Sequence, residues 1–156
     1  MIAQVTAPGE RLDDVRALFL EYARSLGFSL CFQGFDEELR ALPGMYGPPR
    51  GRLLLAIEDG RSAGCVGLHE WGGSTAEMKR LYVRPDFRGR GLGRALTDAA
   101  LAEARAIGYR SVRLDTIPSM MGAAVAMYRR LGFREIAPYR ENPIAGALYL
   151  ELRLCL

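Results

Sequence analysis

One lysine, one histidine and three cysteines are all that this 156-residue chain holds of three chemically versatile side chains, and each scarcity excludes something. Cys31, Cys65 and Cys155 are odd in number and far apart, with no Cys-x-x-Cys pair. A disulfide framework is therefore not expected, and free thiols in a reducing compartment are. The single lysine, Lys79, is not preceded by a glycine loop, so the chain has no Walker A motif. No apolar run approaches the roughly 20 residues of a membrane span. Met1 leads straight into Ile-Ala-Gln-Val-Thr, without a charged n-region or a long apolar h-region, so no secretory signal is expected and the expected location is cytoplasmic. The net charge is only +3 and the arginines are spread along the chain rather than gathered in a basic stripe. Nucleic acid is thus not an expected partner, nor is a membrane, nor a resident metal. Linkers, repeats and low-complexity stretches are also lacking, so 1–156 reads as one domain, long enough to bury a core unaided.

What the chain does have is a stretch rich in glycine and arginine at 84–93, Arg-Pro-Asp-Phe-Arg-Gly-Arg-Gly-Leu-Gly. An apolar-alternating run precedes it and a segment of helical periodicity, Leu92–Ile107, follows it. A strand that turns through such a loop into a helix suits a bound phosphate. The first amides of the helix lack internal partners and lie at the positive end of its dipole. Gly89, Gly91 and Gly93 put no Cβ in the way of an anion, and Arg88, Arg90 and Arg94 add charge-assisted hydrogen bonds. The glycine spacing does not fit the Gly-x-Gly-x-x-Gly of a dinucleotide fold. Taken alone, the hexapeptide 88–93 is better read as a glycine-rich turn capped by solvated arginines; the flanking residues reverse that preference.

The rest of the chain falls into alternating and helical patterns. Residues 2–6 alternate as a strand, and an apolar stripe from Leu12 to Leu26 predicts a helix stopped by Gly27. Residues 28–34 read as irregular, and a short helix is predicted from Asp36, as N-cap, to Leu42. Arg52–Glu58 predicts a strand, Asp59-Gly60 a hairpin turn, 62–71 the returning strand, and Thr75–Val83 a third strand of the meander. Beyond the helix Leu92–Ile107 come a strand at 109–116, a helix at 119–131, and strands at 133–137 and 147–154. This order predicts an α/β (α+β) fold with a mixed, mostly antiparallel twisted sheet of about seven strands and helices on both faces. The last strand is a candidate edge for a homodimer.

Arg-x-x-Gly-x-Gly at 88–93 resembles the pyrophosphate loop of the GNAT superfamily of acetyl-CoA-dependent N-acetyltransferases. Ala-Val-Ala-Met-Tyr-Arg-Arg-Leu-Gly-Phe at 124–133 resembles a second motif of that superfamily, and the element order matches over essentially the whole chain. The resemblance implies that the strands Thr75–Val83 and 109–116 splay apart, admitting the pantetheine arm. It implies acetyl-CoA as co-substrate, bound by the backbone of Leu81, Tyr82 and Val83 and by the loop Arg88, Gly89, Arg90, Gly91, Leu92, Gly93 and Arg94. One strand amide would polarise the thioester carbonyl. It also implies that the Tyr128 hydroxyl protonates the departing thiolate, which a phenol with an ordinary pKa of about 10 can do. As a side chain on an amphipathic helix, Tyr128 is equally read as a half-buried aromatic. Glu77 stands where some relatives carry a general base, and the period-2 rule puts it on the face of Leu81 and Val83. A salt-bridged strand residue is the other reading; His69, Glu70 or a water relay are the alternative bases. Many relatives have asparagine seven residues before the tyrosine, where this chain has Met121.

The acceptor, by the same resemblance, lies against 28–46 and 139–146. There Phe32, Phe35 and Tyr46 stand beside Asp36, Glu37 and Glu38, a mixture that suits a cationic amine, although core aromatics beside acids that favour a helix N-terminus are the preferred reading; Arg140 is a candidate ligand for a carboxylate. The reading is an N-acetyltransferase acting on the primary amine of a small molecule by direct transfer in a ternary complex. Its alternatives are an acyl-CoA sensor without turnover and a transferase for protein N-termini or lysines.

Overall fold

Two overlapping alternations run through the segment 52–58. Leu53 and Leu55 point one way, Leu54 and Ala56 the other, and all four are buried, so this strand needs an apolar layer on each face. The computed structural model describes residues 1–27, 34–142 and 144–154, and there the segment is β2, Arg52–Glu58. Its sheet contains β1 (Ile2–Gln4), β3 (Arg61–Gly72), β4 (Thr75–Val83), β5 (Ser111–Thr116), β6 (Arg134–Glu135) and β7 (Leu148–Arg153), in the order β1-β2-β3-β4-β5-β7-β6. The β4–β5 pair is parallel and the others are antiparallel. Helices α1 (Glu10–Leu26) and α2 (Phe35–Ala41) cover one face, where Val15, Leu18 and Phe19 meet Leu53, Leu55 and Cys65. Helices α3 (Leu92–Ile107) and α4 (Pro118–Leu131) cover the other, where Leu96, Ala100 and Met127 meet Leu54, Val66 and Leu68. The mixed, mostly antiparallel seven-stranded sheet is the one expected.

Local differences have local causes. Gly27 closes α1 in the left-handed conformation at φ 70°. Asp36 is not the N-cap of α2: Gly34 takes that position at φ 67°, and Asp36 joins Glu37 and Glu38 in the first turn, where acids favour the dipole. The segment expected to be irregular lies, but for Gly34, outside the described residues. Tyr109 precedes β5 rather than starting it, because its amide donates to Ala104 O at the end of α3 at 3.0 Å. The expected strand at 133–137 shortens to two residues. It nevertheless pairs with β7 through Arg134↔Glu151 and Glu135↔Leu150. That corrects the dimer expectation: β7 lies inside the sheet between β5 and β6, and β6 is the outer strand.

Strands β4 and β5 share only the pairs Thr75↔Ser111, Ala76↔Val112 and Glu77↔Arg113, and then part. Just past that point β4 bulges. Lys79 lies opposite Gly67 but Tyr82 lies opposite Cys65, so the strand carries one residue more than β3 does there, and Arg80 adopts φ 63°. The bulge inverts the alternation. Ala76 and Met78 face the α3–α4 layer, and so do Leu81 and Val83. Glu77 faces the α1–α2 layer, bonded to His69, whose ring packs edge-on against Tyr46. The expectation that Glu77 shares a face with Leu81 and Val83 is therefore corrected, since the period of two does not survive an extra residue.

Candidate active site

The parted strands enclose a cleft of about 590 Å³, lined by residues 78–83 of β4, 114–116 of β5, Tyr22 of α1 and Tyr128 of α4. Its β4 wall offers unpaired amides. Arg84 N–H donates to Ala63 O at 2.8 Å, so by alternation the Tyr82 amide also turns toward β3, while those of Leu81 and Val83 turn into the gap that β5 has left.

At the mouth lies the glycine-arginine loop. Gly91 precedes α3 in the left-handed conformation at φ 78°, and no side chain caps the helix, so the first-turn amides of Leu92, Gly93 and Arg94 are free to face a ligand. A Cβ at Gly89, Gly91 or Gly93 would meet no atom within 4 Å, so the approach to these amides is open. Arg88 lines the cleft, donates from Nε to Val83 O at 3.0 Å and holds its guanidinium 5.9 Å from the Tyr82 ring. Arg90 and Arg94 do not line it. Arg90 reaches Asp59 at 3.4 Å, and Arg94 pairs with Asp98 one helical turn on at 3.1 Å. The structure thus brings Arg88 to the cleft and leaves the other two arginines on the outside of the loop.

Tyr128 lies on the α4 wall, buried, with its ring 5.4 Å from that of Phe133. Its hydroxyl has no hydrogen-bond partner among the described residues. Burial, and then the proximity of Tyr22, push its pKa well up, so the phenol stays protonated. Met121 interrupts α4 with φ −133° and ψ 36°. Its sulfur accepts from the Thr116 hydroxyl at 3.4 Å.

On the opposite face Glu77 is fully buried. It accepts from His69 Nε2 and from the Tyr139 hydroxyl, both at 2.8 Å, and from Arg140. Burial alone would raise its pKa, but the His69 hydrogen bond and the charges of Lys79 and Arg140 prevail and draw it down to about 2. A second buried carboxylate, Glu38, takes both arms of Arg80 at 2.9 Å and the Tyr46 hydroxyl at 2.8 Å. Burial again works upward, and the fork of Arg80 turns the net shift downward.

On the acceptor side Phe35 and Tyr46 are core residues and Asp36, Glu37 and Glu38 sit in the first turn of α2, as the preferred reading has it; Phe32 lies outside the described residues, and Arg140, a candidate for a substrate carboxylate, meets that of Glu77. Cys65 is buried, its thiol raised by burial and bonded to Arg80 O, which leaves it no nucleophilic role; Cys31 and Cys155 lie outside the described residues. Lys79 and Arg80 were not read as site residues. Their signal is two adjacent cations in the apolar run Met78-Lys79-Arg80-Leu81, an arrangement that a buried strand tolerates only with partners or a purpose.

Comparisons with known proteins agree with this geometry. The pattern of the Acetyltransferase (GNAT) family matches residues 13–133. An uncharacterized N-acetyltransferase of Schizosaccharomyces pombe is 40% identical over 155 residues, covering 98% of this chain and 94% of that protein. Among solved structures, a GNAT-family acetyltransferase from Staphylococcus aureus superposes with a TM-score of 0.79 at 18% identity, over 99% of this chain and 100% of that one. The acetyltransferase yncA from Salmonella typhimurium, solved with acetyl-CoA, superposes with a TM-score of 0.67 at 21% identity, over 99% and 94% of the two chains. The parted strands, the uncapped helix after Arg-Gly-Arg-Gly and the match over most of the chain's length have one account: this protein is an acyltransferase and belongs to the GNAT acetyltransferase family.

Proposed function

We propose that the protein transfers an acetyl group from acetyl-CoA to the primary amine of a small molecule, directly and with both substrates bound. The observation that carries the reading is the cleft between β4 and β5. It has the Leu81 and Val83 amides on one wall, the unpaired Tyr128 hydroxyl on the other and Arg88 at its mouth. The residues present fit the cofactor. The amides at the start of α3, with Arg88, suit a pyrophosphate, and the free edge of β4 suits an extended, amide-bearing arm as it would an added strand. A cleft of about 590 Å³ that takes such an arm leaves room for a small acceptor.

When bound, acetyl-CoA supplies the acetyl group as a thioester whose carbon–sulfur bond breaks as the new carbon–nitrogen bond forms. The acceptor arrives as an ammonium and loses one proton to water before its nitrogen attacks. The Leu81 or Val83 amide donates to the carbonyl oxygen as negative charge gathers there. Tyr128 gives its proton to the departing sulfur and recovers one from the nitrogen through water, so the net release is one proton. Glu77 is assigned a holding role. A carboxylate drawn to about 2 and already accepting from three donors is a poor match for a base that works near neutral pH, and water takes the acceptor's proton. A cytoplasmic location fits the free thiol of Cys65.

Thermal unfolding with and without acetyl-CoA tests the reading. Ligand at about 100 times its dissociation constant adds about 2.7 kcal/mol, and the shift shrinks in Arg88→Ala. Absence of any shift at millimolar acetyl-CoA would overturn the proposal.

A further inference from the structure

The only lysine of the chain lines the cleft. Lys79 leaves β4 just before the Arg80 bulge, on the Glu77 face, and is 8% exposed. Among the described residues its ammonium makes no hydrogen bond and no ion pair. An ammonium has three donors to satisfy; Lys79 Nζ is not sealed from solvent and presents them to the cleft. Burial and then the charge of Arg80 draw its pKa down to about 8, against the opposing pull of Glu77.

The carboxylates around it are committed elsewhere. Glu77 is held by His69, Tyr139 and Arg140, and Glu38 by Arg80 and Tyr46. Asp115 lines the cleft from β5, where Asn142 approaches it at 3.4 Å, and it is not bonded to Lys79. Glu77 and Glu38 are thus engaged by other donors, and Lys79 has no carboxylate within bonding distance among the described residues. Arg140 adds a buried Nε that has no acceptor among the described residues. This part of the site is therefore short of acceptor atoms. The cofactor's own anions do not remedy that, because Arg88 and the start of α3 lie beyond the far end of β4. The four residues from Lys79 to Val83 alone span about 13 Å of strand.

We propose that Lys79 binds a carboxylate of the acceptor, so that the substrates are amino acids and other small amines carrying a carboxylate close to the reacting nitrogen. A carboxylate brings a negative charge opposite the ammonium, together with two acceptor oxygens. The inference rests on the acetyltransferase reading above and narrows its acceptor.

The test is a panel of matched amines with acetyl-CoA, each free amino acid beside its carboxamide and its decarboxylated amine, with release of the CoA thiol as readout. The unmodified protein prefers the carboxylate member by at least about 10-fold in kcat/KM, the worth of one charge-assisted hydrogen bond. Lys79→Met, which keeps the length and apolar stem of the side chain, abolishes that preference mainly through KM. Lys79→Arg retains part of it. Both variants keep the thermal shift with acetyl-CoA, which shows that they fold and bind the cofactor. Stabilisation by acetyl-CoA without any preference for carboxylates, whether all members react alike or none reacts, overturns this inference and leaves the acetyltransferase reading standing. A preference that survives Lys79→Met overturns the role of Lys79. Loss of the acetyl-CoA shift in the unmodified protein overturns the parent reading, and this inference falls with it.

Discussion

Glu77 and Tyr128 flank the same parted strands, and their surroundings drive their protons in opposite directions. Tyr128 is buried, and its hydroxyl has no hydrogen-bond partner among the described residues, so it keeps its proton and has one to give. Replacing it by phenylalanine removes one oxygen and little packing. Tyr128→Phe is expected to lower kcat by about 10²- to 10⁴-fold while the thermal shift with acetyl-CoA persists. Steady-state rates beside melting curves check this, and an unchanged kcat would remove the acid role. Tyr128 was legible because a run of ten residues surrounds it with a recognisable pattern. The partners of Glu77 were not: His69, Tyr139 and Arg140 come from β3 and from the segment before β7, and no local pattern announces that three donors will converge on one carboxylate. Lys79 and Arg80 were hidden for the same reason, since their meaning depends on what faces them across the sheet.

Among the elements, β2, β4 and α3 begin and end where alternation, helical period and flanking glycines place them. The bulge in β4 was not legible. Bulges that need a positive φ usually advertise themselves with glycine, but here Arg80 takes φ 63°. Its fork on Glu38 holds it there, a tertiary contact with α2 across 42 residues of sequence. This single residue decides which side chains of β4 face α3 and which face α1. Close packing sets another element-level limit at Gly67, opposite Lys79, where a Cβ would come within 2.5 Å of the Tyr46 ring. Tyr46 is fixed by its bond to Glu38 and by Phe19 at 5.9 Å. Gly67→Ala is therefore expected to cost about 1–3 kcal/mol, seen as a lower midpoint in urea. A variant as stable as the parent would mean that Tyr46 moves freely, contrary to its packing.

For the whole molecule, the two buried carboxylates make stability depend on acid. Glu77 falls from an ordinary 4.5 to about 2, and Glu38 also shifts downward. Between those limits the unfolded chain binds protons that the folded one refuses, so stability is full above about pH 4.5 and declines as pH falls toward 2. Glu77 alone accounts for about 3 kcal/mol of this. Urea titrations at pH 7, 4 and 2.5 measure it, and a Glu77→Gln variant with the same acid slope as the parent would show that the loss comes from elsewhere. The overall architecture was legible from the order of elements. The strand β6 was legible in part, but its outer position was not, because alternation does not say which neighbour a strand pairs with.

The three residue pairs that join β4 to β5 have a mechanical meaning as well. On one side stand four strands, on the other three, and the seam between them is stitched only at one end. Such a sheet is two stiff plates on a short hinge. An extended ligand laid into the seam with its own amides would supply rungs that the polypeptide omits, turning two plates into one. The molecule would then be at its most rigid when it is loaded, and the compliance of the empty state would be what lets a ligand slide in edgewise.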